Sequence, residues 1–237
     1  MTTRINLISG PRNISTALMY SFRSRADTTV VDEPLYGHYL RVTGLDYPGR
    51  DDILAASQTD GAAAIRDSIL GACPTPILFV KNMAHHIVGV DLDKAFLDEV
   101  VNVFLIRNPH DMLTSLIKNL PSPTTLQTGL PQQCELLERI ADPVVLDSAD
   151  VLRNPARTLQ RLCERIGIPW DEAMLSWPRG PKPEDNVQAP YWYARVHQTV
   201  GFEPYKPKNE TVPAALDGVL SECRAYYDRL AAHAIRA

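Results

Sequence analysis

Short apolar segments that each stop at polar residues are the feature of this sequence that most restricts its fold. Five such segments occur, at residues 5–8, 28–31, 77–80, 100–106 and 144–146. Segments with helical spacing lie between them, at residues 60–70, 111–119 and 155–166. Short strands that alternate with helices predict βαβ units and a mostly parallel sheet, and therefore an α/β fold. In such a sheet a ligand binds beyond the carboxyl ends of the strands, where the polar residues of this chain follow.

The length and composition fit one globular domain of this class. The chain has 237 residues, of which 45% are hydrophobic and 22% are charged, as in ordinary globular domains. The formal net charge is −4, so an anionic ligand would have to be held by a few placed cations rather than by a general basic field. We predict a single domain over residues 1–237 and no nucleic-acid binding.

Cysteine spacing and hydropathy restrict the environment of the protein. The four cysteines form no C-x-x-C pair and no Cys/His spacing suited to zinc, which favours reduced thiols and no metal site. No apolar run reaches the ~18 residues that a membrane span needs. Residues 1–6 do not show the basic and apolar regions of a signal peptide. We predict a cytoplasmic protein, and a homodimer is compatible with the sequence.

Residues 177–209 differ from the rest of the chain. They are dense in proline and aromatic residues and have no clear periodicity. Disordered segments are poor in aromatic residues, so we predict an ordered loop or lid beside an acceptor site. Candidate walls of that site are Trp177, Tyr191, Trp192 and Tyr193, with core packing as the alternative. A final amphipathic helix is predicted over residues 213–233.

The first apolar segment leads into the loop SGPRNIST, residues 9–16, and then into a helix. This order can wrap backbone N–H groups around a phosphate at a helix N-terminus. Arg12 offers a charged fork to phosphate or sulfate oxygens, and Ser15 and Thr16 offer hydroxyl donors. The triphosphatase motif G-x-x-x-x-G-K-[ST] is incomplete, because its second Gly and its Lys are absent. The loop predicts an anion site, with a turn and a helix cap as the alternative.

A second anion-binding pattern follows the fourth apolar segment. Arg107 ends that segment, and Pro109 is a favoured first residue of a helix. Ser115 would then lie about two turns along this helix, on the same side as the arginine. Arginine supplies charge and serine a directional donor, so the pair can hold one dianionic group from two sides.

These elements resemble the superfamily of sulfotransferases that use 3′-phosphoadenosine 5′-phosphosulfate (PAPS). Residues 11–16 are similar to its 5′-phosphosulfate loop, residues 107–115 to its 3′-phosphate element, and residues 144–168 to its later strand, turn and helix. The resemblance implies a three-layer P-loop-type fold with a mostly parallel central sheet. It also implies an enzyme that moves a sulfuryl group from PAPS to a hydroxyl or amine of a small-molecule acceptor, without a metal.

The resemblance assigns the first loop to the 5′ end of the donor. Arg12 stands at the family's loop lysine, which bridges the leaving phosphate and the sulfuryl group. Ser15 and Thr16 stand at the hydroxyls that bind the 5′-phosphate, and Asn13 and Ile14 complete the loop.

The same resemblance assigns later residues to the 3′ end and the adenine. Arg107 and Ser115 would hold the 3′-phosphate, and Ser148 stands where cytosolic members place a tyrosine near adenine. Two features depart from the family: Ala17 replaces a tryptophan that stacks on adenine, and the Arg-Lys-Gly element near the C-terminus is missing. Residues 195–208 are the candidate replacement for that element.

Two residues are candidates for the base that takes the acceptor's proton. Glu33 ends the second apolar segment beside the phosphate loop, where the carbohydrate-modifying branches use a glutamate; an ion pair with Arg12 or Arg41 is the structural alternative. The cytosolic small-molecule branch instead uses a histidine two positions after a strand-end lysine. We favour Glu33.

The histidine position of that pattern is shifted in this chain. Lys81 is the strand-end lysine, and we predict an electrostatic role for it on the sulfuryl or leaving group, with a surface ion pair as the alternative. Met83 occupies the histidine position, while His85 and His86 follow closely. His85 is therefore the second candidate base, and a hydrogen-bonded loop histidine is the structural alternative.

Two other functions remain open from the sequence. One is a P-loop kinase or NTPase that uses ATP and magnesium, against which the missing Gly and Lys argue. The other is a non-catalytic module that binds a nucleotide or a partner and retains only the donor site.

Overall fold

A computed structural model describes residues 2–236. Within this range five parallel strands form one sheet in the order β2-β3-β1-β4-β5. The predicted α/β fold is confirmed, and each apolar segment supplies one strand. The strands are β1 (Thr3–Ser9), β2 (Thr28–Asp32), β3 (Ile77–Met83), β4 (Val101–Ile106) and β5 (Val144–Asp147).

Helices lie between and after these strands. The α-helices are α1 (Ser15–Arg23), α2 (Tyr36–Thr43), α3 (Arg50–Ala56), α4 (Gly61–Ala64), α5 (Lys94–Glu99), α6 (Pro109–Leu116), α7 (Leu130–Arg139), α8 (Ser148–Arg153), α9 (Pro155–Ile166), α10 (Ala189–Trp192) and α11 (Asp217–Ala231). A π-helical turn, Ile65–Ile69, extends α4. Short 3₁₀ turns occur at Ala84–Ile87, Leu126–Thr128, Glu172–Leu175, Val196–Gln198 and Ala214–Leu216. No helix in residues 2–236 is long and apolar enough to cross a membrane.

The alternating side chains of the strands separate the core into two layers. On β1, Leu7 packs with α1 and α9, while Ile8 packs on the opposite face with α7 and α11. Buried residues on β3, β4 and β5 divide between the same two clusters. A sheet that is covered on both faces favours the continuous apolar strands seen in the sequence. The three-layer arrangement predicted from the resemblance is therefore present.

Several helix bounds differ from the sequence prediction for local reasons. Helix α6 begins at Pro109, as its sequence predicts, where the Asn108 side chain accepts a bond from the His110 amide at 3.0 Å, but it ends at Leu116 and not at residue 119. The predicted segment 60–70 is α4 with its π-helical turn. Helix α11 begins at Asp217 and not at residue 213, since a 3₁₀ turn precedes it.

Strand order places a crevice at the carboxyl end of β1. The connection from β1 to β2 runs to one side of β1, and the connection from β3 to β4 crosses to its other side. Such a reversal leaves room beyond the strand ends for a ligand. Residues 177–209 reach this region as a loop whose base is joined by an antiparallel bridge between Ser176 and Gly201.

Candidate active site

A cavity of about 480 Å³ opens at the carboxyl ends of the central strands. Residues that follow β1, β2 and β4 line it, and so do residues from the segment 192–210. The cavity therefore brings together the first loop, Glu33, Arg107 and Ser115, which the sequence places far apart.

The loop between β1 and α1 is fixed by a buried contact to the neighbouring strand β4. The Asn13 side chain is fully buried and donates through Nδ2 to the carbonyl of Leu105 on β4 at 3.1 Å. Arg12 and Ile14 have left-handed backbone conformations, with φ of 62° and 65°. Left-handed residues in a loop turn successive N–H groups toward one point and form an anion-binding concavity. The first turn of α1, which begins at Ser15, lines the cavity beside this loop.

Arg107 and Ser115 meet the first loop directly. Arg107 Nη1 donates to the carbonyl of Arg12 at 2.7 Å. Arg12 Nε donates to Ser115 Oγ at 3.0 Å, and its Nη1 donates to the carbonyl of Trp192 at 3.4 Å. The two basic elements found in the sequence thus form one continuous wall of the cavity.

The charges on the cavity wall are predominantly positive. Burial lowers the pKa of Arg12, and the nearby charges of Arg107 and Arg195 lower it further. Burial also lowers the pKa of Arg107, against the opposing effect of Asp111. An arginine stays charged under such shifts, so converging guanidinium groups favour a bound anion. The basic residues on the wall are Arg12, Arg107, Lys118, Arg195, Lys206 and Lys208, and the acidic ones are Glu33, Glu203 and Glu210.

Residues 195–208 contribute three of these cations. Burial lowers the pKa of Lys208, and the positive charges of Arg107 and Lys118 act in the same direction. The side chains of Arg107, Lys118 and Lys208 therefore lie near one another at one end of the cavity. Residues 195–208 therefore stay the candidate replacement for the missing Arg-Lys-Gly element.

Glu33 lies at the junction of the cavity and a buried ionic cluster. Its backbone is left-handed, with φ of 45°, and its amide donates to the carbonyl of Lys81 at 2.8 Å. Its side chain accepts from Lys81 Nζ at 2.6 Å, so Lys81, and neither Arg12 nor Arg41, is its ionic partner. Burial raises the pKa of Glu33, and the charge of Lys81 opposes that rise.

Lys81 is placed behind the cavity wall. It is only 1% exposed and does not line the cavity, whereas the sequence led us to predict an electrostatic role on the sulfuryl or leaving group or, alternatively, a surface ion pair. Its ammonium also donates to Asp32 Oδ1 at 2.6 Å. Burial alone would lower the pKa of Lys81, but Asp32 and Glu33 outweigh it, so the pKa of Lys81 is raised.

His85 and His86 line the cavity as buried, neutral rings. Burial lowers the pKa of His85 to about 3, and burial together with His85 holds the pKa of His86 well below its usual value. Neither Nδ1 has a hydrogen-bond partner within residues 2–236. The His86 ring stacks on Tyr36 and Tyr39, with centroids 4.5 and 4.8 Å apart. No cluster of three or more potential metal ligands is found within residues 2–236.

The aromatic candidates of residues 177–209 divide into two groups. Trp192 and Tyr193 line the cavity. Trp177 is buried against Tyr20 in the core, and Tyr191 lies at the surface, where its hydroxyl donates to Asp52 at 2.7 Å. Core packing therefore accounts for the first of these two, and a surface hydrogen bond for the second.

One residue that the sequence predicts to bind the donor nucleotide lies away from the cavity. Several residues that line the cavity were not predicted from the sequence. Ser148 is the buried first residue of α8 and does not line the cavity. Tyr36, Tyr47 and Gln127 line it and were not predicted. Only Tyr36 carried a sequence signal, because it follows Glu33 by three residues in the turn after β2.

Residues 3–234 match a protein family described as a sulfotransferase domain. This chain belongs to the sulfotransferase family. The match covers nearly the whole chain and includes both basic elements and residues 177–209. The resemblance inferred from three short motifs is therefore confirmed.

Two curated relatives of this sulfotransferase-family chain come from Arabidopsis thaliana. They are named branched-chain-amino-acid aminotransferase-like protein 1 and protein 2. The first is 36% identical over 230 residues and the second 35% identical over 234 residues. The alignments cover 95% and 97% of this chain but 41% of each relative. The chain thus spans about two fifths of the length of these relatives.

Solved sulfotransferases share the fold of this chain. The sulfotransferase domain of the Synechococcus PCC 7002 olefin synthase aligns with a TM-score of 0.63, 17% identity and 96% coverage of both chains. A sulfotransferase from Alicyclobacillus acidocaldarius aligns with a TM-score of 0.55, 10% identity and coverage of 98% and 95%. At these identities the likeness concerns the fold alone.

Proposed function

We propose that this chain transfers a sulfuryl group from PAPS to a hydroxyl or amine of a small-molecule acceptor. The observation that carries the proposal is the direct bonding of the two basic elements, in which Arg107 and Ser115 both contact Arg12 on one cavity wall. A donor with an anionic group at each end requires two such elements at a fixed separation.

The residues on the wall fit such a donor. Six basic and three acidic side chains line a cavity of about 480 Å³, although the whole chain carries a net charge of −4. The first loop and the start of α1 would hold the 5′-phosphosulfate. Arg107 and Ser115, with Lys208 close by, would hold the 3′-phosphate. These cations can neutralise the donor, so the proposal requires no metal.

The same wall supplies what in-line transfer needs. The acceptor oxygen or nitrogen forms a bond to sulfur while the bond from sulfur to the phosphate oxygen breaks, and that oxygen keeps the electron pair. Arg12, buried at the first loop, would stabilise the charge that develops there. The acceptor's proton passes to a base within reach of the cavity.

Glu33 is the proposed base. It is the carboxylate of the buried cluster that lines the cavity, and burial raises its pKa, which makes it a better proton acceptor than an exposed glutamate. His85 also lines the cavity, but a pKa of about 3 makes it a weak base. The choice between the two follows from the direction of these pKa shifts.

Calorimetry with 3′,5′-adenosine bisphosphate (PAP) tests the donor site. We expect the protein to bind PAP, and Arg107→Ala to weaken that binding by about 2–5 kcal/mol, as for truncation of a buried charge contact. Arg66→Ala is the matched control, because Arg66 is exposed and pairs with its neighbour Asp67. Absence of PAP binding by the unmodified protein would reject the proposal.

Two further outcomes separate the alternative functions. Tighter binding of ATP with magnesium than of PAP would favour a kinase or NTPase. PAP binding without transfer of labelled sulfate from PAPS to any component of a metabolite extract would favour a non-catalytic module.

A further inference from the structure

The ammonium of Lys81 has no proton left for a ligand. Its Nζ donates to Asp32 Oδ1 at 2.6 Å, to Glu33 Oε1 at 2.6 Å and to Tyr193 Oη at 2.5 Å. An ammonium group carries three donors, and each of them has an acceptor here. Since Lys81 is also buried behind the cavity wall, it can affect the reaction only through the groups that it binds.

Asp32 joins this cluster to residues 177–209. The Tyr193 hydroxyl lies 2.8 Å from both carboxylate oxygens of Asp32, to which it donates. Gln188 Nε2 and the amide of Asn186 lie 3.2 and 3.3 Å from Asp32 Oδ2. Every contact in this set comes from the proline-rich and aromatic-rich segment. The docking of that segment and the placement of Lys81 thus share one buried carboxylate.

The cluster has more negative than positive groups. A single ammonium, Lys81, is shared by the carboxylates of Asp32 and Glu33, and only Glu33 also lines the cavity. A buried carboxylate without a charge partner takes up a proton, because burial disfavours its ionised form. The neutral groups that donate hydrogen bonds to Asp32 therefore help to stabilise its charge. Lys81 can then stabilise the charge of Glu33 as well.

We propose that Lys81 and Tyr193 are positioning residues that hold Glu33 ionised and directed at the cavity, and that Tyr193 makes this dependent on the docking of residues 177–209. The proposal rests on the proposed function, in which Glu33 is the base. Lys81 acts on Glu33 and has no contact with the sulfuryl group. Tyr193 supplies the third acceptor of Lys81 and a donor to Asp32.

The test compares Tyr193→Phe with Tyr191→Phe. The two tyrosines lie two residues apart, and each replacement removes one hydroxyl that donates to an aspartate. Tyr191, however, bonds Asp52 at the surface, whereas Tyr193 bonds the buried Asp32. We expect Tyr193→Phe to lower kcat by about 10-fold or more, since it weakens general-base catalysis. The Kd for PAP should stay within about twofold of the unmodified protein, because none of the residues assigned to the donor is replaced.

The pH profile separates positioning from a purely structural role. Loss of the Tyr193 hydroxyl favours the protonated form of Glu33, so the acid limb of the kcat/KM profile should move to higher pH by about half a unit or more. Tyr191→Phe should leave that limb in place. In a Glu33→Gln background, Tyr193→Phe should cause little further loss of kcat, because the two residues act as one unit.

Specific results would overturn the inference. Equal kcat and pH profiles for Tyr193→Phe and Tyr191→Phe would do so, as would a fall in kcat with the acid limb unmoved. If Tyr193→Phe does not fold, Gln188→Ala removes a donor to Asp32 without touching Lys81 and should move the acid limb in the same direction. Failure of the unmodified protein to bind PAP is a separate result, which rejects the donor site and not the cluster.

Discussion

His85 and His86 follow β3 almost directly and are enclosed by the rings of Tyr36 and Tyr39. To charge either imidazole in this surrounding costs free energy, because burial disfavours the charged form and neither ring forms an ion pair within residues 2–236. Residue type alone makes this histidine pair a candidate for the base. Burial, however, lowers the pKa of both rings below the range in which a general base works well. The same burial moves the pKa of Glu33 upward and toward that range.

Burial of His85 also predicts how stability depends on pH. The pKa of the ring is about 6.5 in the unfolded chain and about 3 in the folded protein. Below pH 6.5 the unfolded state therefore binds a proton that the folded state does not. The free energy of unfolding should fall as the pH drops toward 3, by up to about 1.4 kcal/mol per pH unit for this histidine.

Urea unfolding at pH 7.5 and pH 5 measures this effect. His85→Gln should flatten the dependence on pH, whatever its effect at neutral pH, because glutamine does not titrate. His110→Gln is the control, because the side chain of His110 is 32% exposed whereas His85 is buried. An unchanged slope in His85→Gln would contradict the burial argument.

At the scale of elements, the loop between β1 and α1 depends on a close approach at Gly10. A Cβ atom at this position would lie 2.5 Å from the carbonyl oxygen of Thr128 and 3.0 Å from Asn13 Nδ2. The first contact is with backbone, which cannot rotate away. Any side chain at residue 10 must therefore displace the loop that carries Arg12 and the start of α1.

Gly10→Ala should consequently weaken both stability and donor binding. We expect a loss of about 1–3 kcal/mol in the free energy of unfolding, as for overpacking of a buried site, together with weaker PAP binding. Denaturant titration and calorimetry measure the two effects. Gly218→Ala on α11 is the matched control, since a Cβ there meets nothing within 4 Å, and it should be neutral or stabilising by up to about 1 kcal/mol. Unaltered PAP affinity in Gly10→Ala would show that the loop position is not critical.

Local patterns were sufficient for the strands but not for the contacts between them. All five strands and the start of α6 carry signals within a few residues, such as an apolar run or Asn108-Pro109. Helix α7 was missed, although Leu130, Cys134 and Leu137 have helical spacing. No comparable signal shows that Asp32 on β2 pairs in register with Lys81 on β3, because the order of strands in a sheet differs from their order in the chain.

The candidate site shows the same division. The two basic elements were predicted from motifs, and the structure brings Arg12, Arg107 and Ser115 together. The contact of Tyr193 with Asp32 joins residues 161 positions apart, and nothing local in either segment specifies it. Lys81 is buried together with that contact. The role predicted for Lys81 from the sequence therefore could not include the cluster.

At the scale of the whole molecule, the cavity has two ends of different character. The cationic end contains Arg107, Lys118 and Lys208, in a chain whose net charge is −4. The aromatic end, which we define by Tyr36, Tyr47, His85, His86 and Trp192, is uncharged at neutral pH. Arg12 spans the boundary, since it bonds Ser115 on one side and the carbonyl of Trp192 on the other.

This division predicts the charge of the acceptor. If the donor occupies the cationic end and engages Arg12, the acceptor meets the aromatic end and the carboxylate of Glu33, and none of the residues that define the aromatic end carries a positive charge. Burial of an unpaired charge is costly, whereas flat apolar surfaces pack well against aromatic rings. In a matched pair of acceptors with the same ring, the uncharged compound should have a kcat/KM at least about 10-fold higher than its carboxylate-bearing analogue.

A single replacement at the aromatic end should reduce this preference. Gln127 lines the cavity and donates to the Tyr47 hydroxyl at 2.9 Å, so Gln127→Lys would add a cation beside the acceptor. We expect its ratio of kcat/KM for the two acceptors to fall toward one, while PAP affinity stays unchanged. Gln132→Lys is the control, because Gln132 lies outside the cavity wall. Equal use of both acceptors by the unmodified protein would mean that a cation from the other end reaches the acceptor, and the division of the cavity would then not govern acceptor choice.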